Sequence, residues 1–197
     1  AIEGYRKGEW QRILTAMREI PEGELYQLQH LTGWKIKELR LARCSAYDAE
    51  KKMIRIVSEE GDNLELWLPK PADTVLRRAI EKRKTEISLM CGDPGMDYIF
   101  SEDGGTPWSK GKIQEGISRI RLQPESRMYQ PQRSRDHMII QALKGGATPA
   151  DIMHYYNLSI REALNYNTFT DGVEEVRGYY MGLLPGQTVS GQEEHSD

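Results

Sequence analysis

The chain has 197 residues, 38% of them hydrophobic and 29% charged, with a net charge of −3. That is enough chain to bury one ordinary core, and too polar a composition for a membrane protein. No apolar run approaches the roughly 18 residues of a spanning helix, and the amphipathic, charged start AIEGYRKGEWQRIL does not read as a signal peptide.

Residues Lys7 to Ile20 place Trp10, Ile13, Leu14, Met17 and Ile20 on one helical stripe, ended by Pro21-Glu22-Gly23. A second helix is predicted over Glu24 to Leu31, stopped at Thr32-Gly33. A third follows, with Ile36, Leu39, Leu41 and Ala42 at helical spacing. The period then changes. Met53, Ile54, Ile56 and Val57, the polar turn Glu59-Glu60-Gly61-Asp62-Asn63, and the alternating Leu64, Leu66 and Leu68 predict a β-hairpin. Pro69 and Pro71 end the second strand, and a helix resumes over Thr74 to Lys84.

The segment CGDPGMDYIFSEDGGTPW is rich in turn residues and reads as a surface loop with a short apolar piece, Tyr98-Ile99-Phe100. Further helices are predicted over Lys110 to Arg121, Arg135 to Lys144, Pro149 to Tyr156, Ser159 to Tyr166 and Gly172 to Leu183. One domain is expected over residues 1–184, followed by a disordered acidic tail over 185–197.

Cys44 and Cys91 are too few for a disulfide framework and lack zinc-site spacing, so both read as reduced structural thiols. His30, His137, His154 and His195 form no HxxxH pair. Neither a metal nor another cofactor is expected, nor a membrane partner, and the chain reads as cytoplasmic, nucleoid-associated if bacterial.

The near-neutral total hides a division. From Pro107 to Gly146 eight Lys or Arg face three acids, whereas from Ala147 onward two Arg face eight acids. An electropositive stretch of this kind suits one polyanion-binding face on a nearly neutral protein. Its competing reading is a solvated charged surface without a partner.

Four motifs in order resemble the catalytic domain of tyrosine recombinases, the phage integrase class. LTGWKIKELRLARCSAYDAEKKMIRI is similar to the passage in which a helix bearing the first catalytic arginine leads into the sheet. LELWLPKPADTVLRRAIEKR follows the next strand, proline and helix. DYIFSEDGGTPWSKGKIQEGISRI is similar to the short apolar piece and helix after that. RSRDHMIIQALKGGATPADIMHYYNLSIREALNYNTF is similar to the closing HxLRH…LGH…Y passage. The resemblance covers about residues 8 to 170 and implies an α+β fold, mostly helical, with a small antiparallel β-sheet.

In that family a tyrosine hydroxyl takes over a DNA phosphodiester while fixed cations offset charge on phosphorus, the general way such a transition state is stabilised. Carried over, the pattern is incomplete. Lys35 stands at the first arginine position, keeping the charge but losing the bidentate fork. Ser58, Glu59 and Glu60 occupy the hairpin stretch where a lysine is expected, and two carboxylates there would repel phosphate. Arg135 matches the second arginine. Gln132 replaces a histidine and has no acid–base capacity near neutral pH. YYNLS replaces the LGH motif. The nucleophile position falls on Tyr166 if one residue is deleted nearby, and on Asn167 otherwise.

The catalytic candidates are therefore Lys35, Arg135 and Tyr166, and the DNA-binding candidates are Gln132, Arg133, Lys110, Lys112, Arg119 and Arg121. Each also has a plain structural reading: Tyr166 as a core-edge aromatic, Arg135 as a partner of Asp136 or Glu162, Lys35 as a solvated helix residue. Trp34 and Trp108 read as packing residues.

Three functions follow as expectations. The first is a double-stranded-DNA-binding protein of recombinase type with a degenerate site and weak or absent cleavage. The second is an active recombinase or integrase, a strand transferase using a variant site. The third is a helical protein-interaction module. The 172–183 helix would suit a homo-oligomer contact. Full-length recombinases usually carry an additional N-terminal DNA-binding domain, and this sequence begins where the catalytic domain would.

Overall fold

The computed structural model of the chain describes residues 2–89, 96–120 and 128–169. The expected helix 172–183, the acidic tail, Cys91 and Arg121 lie outside the described residues. The described chain divides into two compact units, residues 3–138 and residues 139–169 together with Ile2, with the boundary inside one helix.

The first unit begins with α1 (Glu9–Glu19), α2 (Glu24–Thr32) and α3 (Ile36–Leu39). All nine residues of α2 are buried, which makes it the axis of the unit, touched by α1, α3 and α4. Its polar side chains Gln27, Gln29, His30 and Thr32 are buried too, and must find partners inside the protein. Gly33 ends α2 in the left-handed conformation, φ 74°, with its N–H on the Gln29 carbonyl. That cap is strained for a residue with a Cβ.

β1 (Tyr47–Asp48), β2 (Met53–Val57) and β3 (Asn63–Trp67) form a three-stranded antiparallel sheet in chain order. In the hairpin Ile54 pairs with Leu66 and Ile56 with Leu64 on the buried face, while Arg55 pairs with Glu65 on the open one. This is the period-two reading of the sequence, with β1 added. α4 (Lys70–Leu89) starts four residues before the predicted helix. Pro71 is tolerated because a first-turn residue has no intrahelical N–H bond to lose.

Residues 97–108 are not the surface loop that their turn-rich sequence predicts. Asp97, Ile99, Phe100 and Ser101 are buried. The buried guanidinium of Arg83 on α4 donates to the Ser101 carbonyl at 3.0 Å, and Asp103 gathers the backbone N–H groups of Gly105 and Thr106. α5 (Lys110–Arg119) then packs Ile113 and Ile117 inward. α6 (Pro131–Lys144) begins at a proline, four residues earlier than predicted.

The second unit holds the end of α6, then α7 (Pro149–Tyr155) and α8 (Ile160–Leu164), each started by a capping box: Thr148 with Asp151, and Ser159 with Glu162. Its buried side chains include Ile139, Ile140, Leu143, Ile152, Leu158 and Tyr166. No described helix is long and apolar enough to cross a membrane.

Candidate nucleic-acid interface

Lys35 and Arg135, a hundred residues apart in sequence, belong to two segments that the first unit fastens together. Arg135 is 3% exposed, and its Nη1 donates to the Gly33 carbonyl at 3.0 Å, two residues before Lys35. The buried amide of Gln29 makes a second crosslink: Nε2 donates to the Trp34 carbonyl at 3.0 Å and to the Pro131 carbonyl at 2.9 Å, and Oε1 accepts from the Tyr129 hydroxyl at 2.7 Å. The chain entering Lys35 is thereby held against the first turn of α6. Lys35 itself is half-buried at the N-cap of α3.

A third set of bonds fixes α6 at Ser134. His30 Nε2 lies 2.8 Å from the Trp10 carbonyl, which can only accept, so that nitrogen bears the proton. Nδ1 then accepts from the Ser134 hydroxyl at 2.8 Å. Tyr5 approaches the Ser134 oxygen at 2.9 Å and the Gln130 carbonyl at 3.1 Å. Burial holds the His30 imidazole down at about 4, so it is neutral at physiological pH. The ring also stacks on Trp10.

Next to these segments lies a groove of about 470 Å³. α3 supplies Ile36, Lys37 and Arg40; α5 supplies Lys110, Ile113, Gln114 and Ile117; residues 128–132 complete the wall. Three cations and no carboxylate line it. The N-terminal turns of α5 and α6 both contribute residues to it, and neither turn has an acidic residue. Unpaired N–H groups and the positive dipole end favour anions at such turns, and Lys110 in the first turn of α5 adds to that field. No carboxylate among the described residues is within ion-pair distance of Lys110, whereas Arg40 and Lys37 meet Glu59 at 3.0 Å and Glu60 at 3.6 Å.

The predicted DNA-binding residues separate accordingly. Lys110 and Gln132 share the groove, where Gln132 donates to Asp136 at 3.0 Å. Lys112 and Arg119 face a different cavity of about 480 Å³, lined also by Glu22, Glu102 and Glu115. There Lys112 pairs with Glu102 at 2.8 Å and with Glu22 at 3.4 Å, and Arg119 pairs with Glu115 at 2.7 Å. The Glu102 hydrogen bond pushes the Lys112 ammonium above its usual range. Arg133 lies 3.6 Å from Glu3. Lys37, Arg40 and Gln29 were not among the predicted site residues. Lys37 and Arg40, at i and i+3, share one side of α3, but nothing in the sequence alone marks that side as a groove wall, and Gln29 has no mark in the sequence either.

In the second unit Tyr166 follows α8, 4% exposed, its N–H on the Ala163 carbonyl at 3.0 Å. Tyr155 and Tyr156 meet edge to face at 4.8 Å, and burial raises the Tyr155 hydroxyl well above its ordinary range. Among the described residues no group of three or more His, Cys, Asp or Glu stands together to hold a metal ion. Trp34 and Trp108 are both buried, as packing residues are.

No family model matches the chain, and no curated protein sequence does. Solved structures do match its fold. Over 93% of this chain and 65% of the other, it superposes on XerA recombinase with a TM-score of 0.65 at 16% identity. The Tn1549 transposon integrase in complex with transposon right end DNA gives 0.65 at 13% identity, over 93% and 66%. XerH site-specific recombinase bound to its difH substrate gives 0.63 at 12% identity, over 91% and 53%. The chain spans less than two thirds of the length of each of these three proteins, 65%, 66% and 53%, and over that span it shares their fold: the mostly helical α+β architecture of a tyrosine recombinase catalytic domain with a small antiparallel sheet.

Proposed function

We propose that the chain is a double-stranded-DNA-binding protein of the tyrosine recombinase and integrase type whose active site is degenerate, weak or inactive in strand cleavage. The observation that supports it most is the groove between α3, α5 and the start of α6, where Lys37, Arg40 and Lys110 line a wall free of carboxylates beside the fastened Lys35 and Arg135 segments. Neutralising phosphates with such cations is the main source of affinity for duplex DNA. Two of the solved structures of this fold have DNA bound.

The cleavage chemistry is less well supplied. Gln132, hydrogen-bonded to Asp136, has no proton to exchange near neutral pH, and the hairpin turn brings carboxylates where the family resemblance calls for a lysine. Losing one preorganised donor typically costs about 2.7–4 kcal/mol of barrier. In this reading Lys35 and the groove cations hold a phosphate without driving its transfer, while the buried Arg135 fastens the segment that leads into Lys35. The second reading, an active strand transferase with Tyr166 as nucleophile, is favoured by the fastening of Lys35 and Arg135 onto adjacent segments. Association of two copies through residues 172–183 belongs to either reading.

Incubation with a nicked suicide duplex separates the two. The DNA-binding reading predicts a salt-dependent complex and no covalent adduct. An adduct formed by the wild type and lost in Tyr166→Phe would establish the active enzyme, and no binding at low salt would refute both.

A further inference from the structure

The β2–β3 turn is built to hold two carboxylates in place. Ser58 is buried, its N–H donates to the Asp62 carbonyl at 2.9 Å, and its hydroxyl accepts from the Asp62 N–H at 3.0 Å. Gly61 turns the chain at φ 86°, a conformation costly for other residues, and donates to the Ser58 carbonyl at 2.9 Å. Between these fixed points stand Glu59 and Glu60. They meet Arg40 at 3.0 Å and Lys37 at 3.6 Å, two of the three cations lining the α3–α5 groove. Arg40 is also tethered through Nε to the Trp108 carbonyl at 3.2 Å, so its guanidinium is not free to swing away from the turn. The Glu60 carboxyl is held below its usual range by its own backbone N–H and by Lys37, which keeps it charged.

We propose that this turn is an acidic latch on the groove: Glu59 and Glu60 occupy the cations on which a polyanion's phosphates would sit, so that binding exchanges carboxylate for phosphate. For DNA as the polyanion the inference rests on the function proposed above. The pairs are partly exposed, and pairs of this kind are individually weak, so a phosphodiester backbone engaging both cations at once can displace them. The latch lowers affinity for stray anions and leaves Lys110 as the first point of contact. The two acids are thus a removable counter-charge on Arg40 and Lys37.

The test uses the full chain with Glu59→Gln/Glu60→Gln, and with a charge-matched control, Glu19→Gln/Glu50→Gln, at exposed positions outside the groove. Affinity for a mixed-sequence DNA duplex is measured by anisotropy, and retention on immobilised heparin by the salt needed for elution. The latch predicts roughly three- to tenfold tighter duplex binding for the Glu59/Glu60 variant and later elution, with little change in the control. In a Lys37→Gln background the gain from Glu60→Gln disappears. An equal gain in the control, no gain on heparin, or a gain from Glu60→Gln that persists without Lys37 each overturns the latch. Later elution from heparin with no duplex binding by any variant supports the latch and overturns the DNA reading instead.

Discussion

Two cavities of nearly equal size flank α5, and they differ in what surrounds their cations. One stripe of the helix, Lys112, Glu115, Gly116 and Arg119, faces the cavity of about 480 Å³; the adjacent stripe, Lys110, Ile113, Gln114 and Ile117, faces the groove of about 470 Å³. In the first, Glu22, Glu102 and Glu115 are part of the wall and neutralise Lys112 and Arg119 in place. In the second, the carboxylates that reach the cations come from a separate turn and the apolar floor is open. Counting basic residues along α5 cannot tell these cavities apart. What separates them is whether each cation's partner belongs to the cavity wall.

The groove lies beside a buried set of hydrogen bonds centred on Gln29, and the largest expected effect is there. Replacing Gln29 with Met preserves volume but removes its hydrogen bonds to the Trp34 and Pro131 carbonyls and from the Tyr129 hydroxyl, a loss of about 3–4 kcal/mol if each bond contributes about 1 kcal/mol or slightly more. Denaturant unfolding of Gln29→Met measures it, and a change below about 1 kcal/mol would mean that the crosslink between the Lys35 segment and α6 is dispensable.

Next comes the pH dependence of His30. Its folded value near 4 lies below the ordinary 6.5, so the unfolded chain takes up the proton first as pH falls. The stability due to the neutral ring is complete above about 6.5, is lost as pH drops from there toward about 4, and changes no further below that. The shift corresponds to on the order of 3 kcal/mol. Unfolding free energies across this window should fall for the wild type and stay flatter in His30→Gln; equal slopes would place the acid sensitivity elsewhere.

Much of the fold was legible in the sequence because it is written in local periodicity. The stripe of Ile13, Leu14 and Met17, the alternation of Leu64 and Leu66, and the breaks at Pro21 and Gly33 each act within one element. The errors lie where tertiary contacts override local signals. Residues 97–108 look like a surface loop until Arg83 is seen to donate into them, and Pro71 looks like a break until it is seen to sit in the first turn of α4. The candidate site was legible in part. Motif order led to Lys35 and Arg135, whereas Lys37 and Arg40 gain meaning only from the groove, and Gln29 only from the carbonyls it bridges. Lys112 and Arg119 stand out in the sequence by charge alone, and their wall-bound partners are invisible there.

The smallest expected change in free energy tests the central claim most directly: the affinity of the full chain for a DNA duplex as a function of salt, compared between two double variants. Lys37→Gln/Lys110→Gln should weaken binding roughly tenfold and reduce the salt slope by about 2, while Lys112→Gln/Arg119→Gln should change both little. The reverse order, or equal losses from the two pairs, would contradict the assignment of the α3–α5 groove as the face that meets DNA.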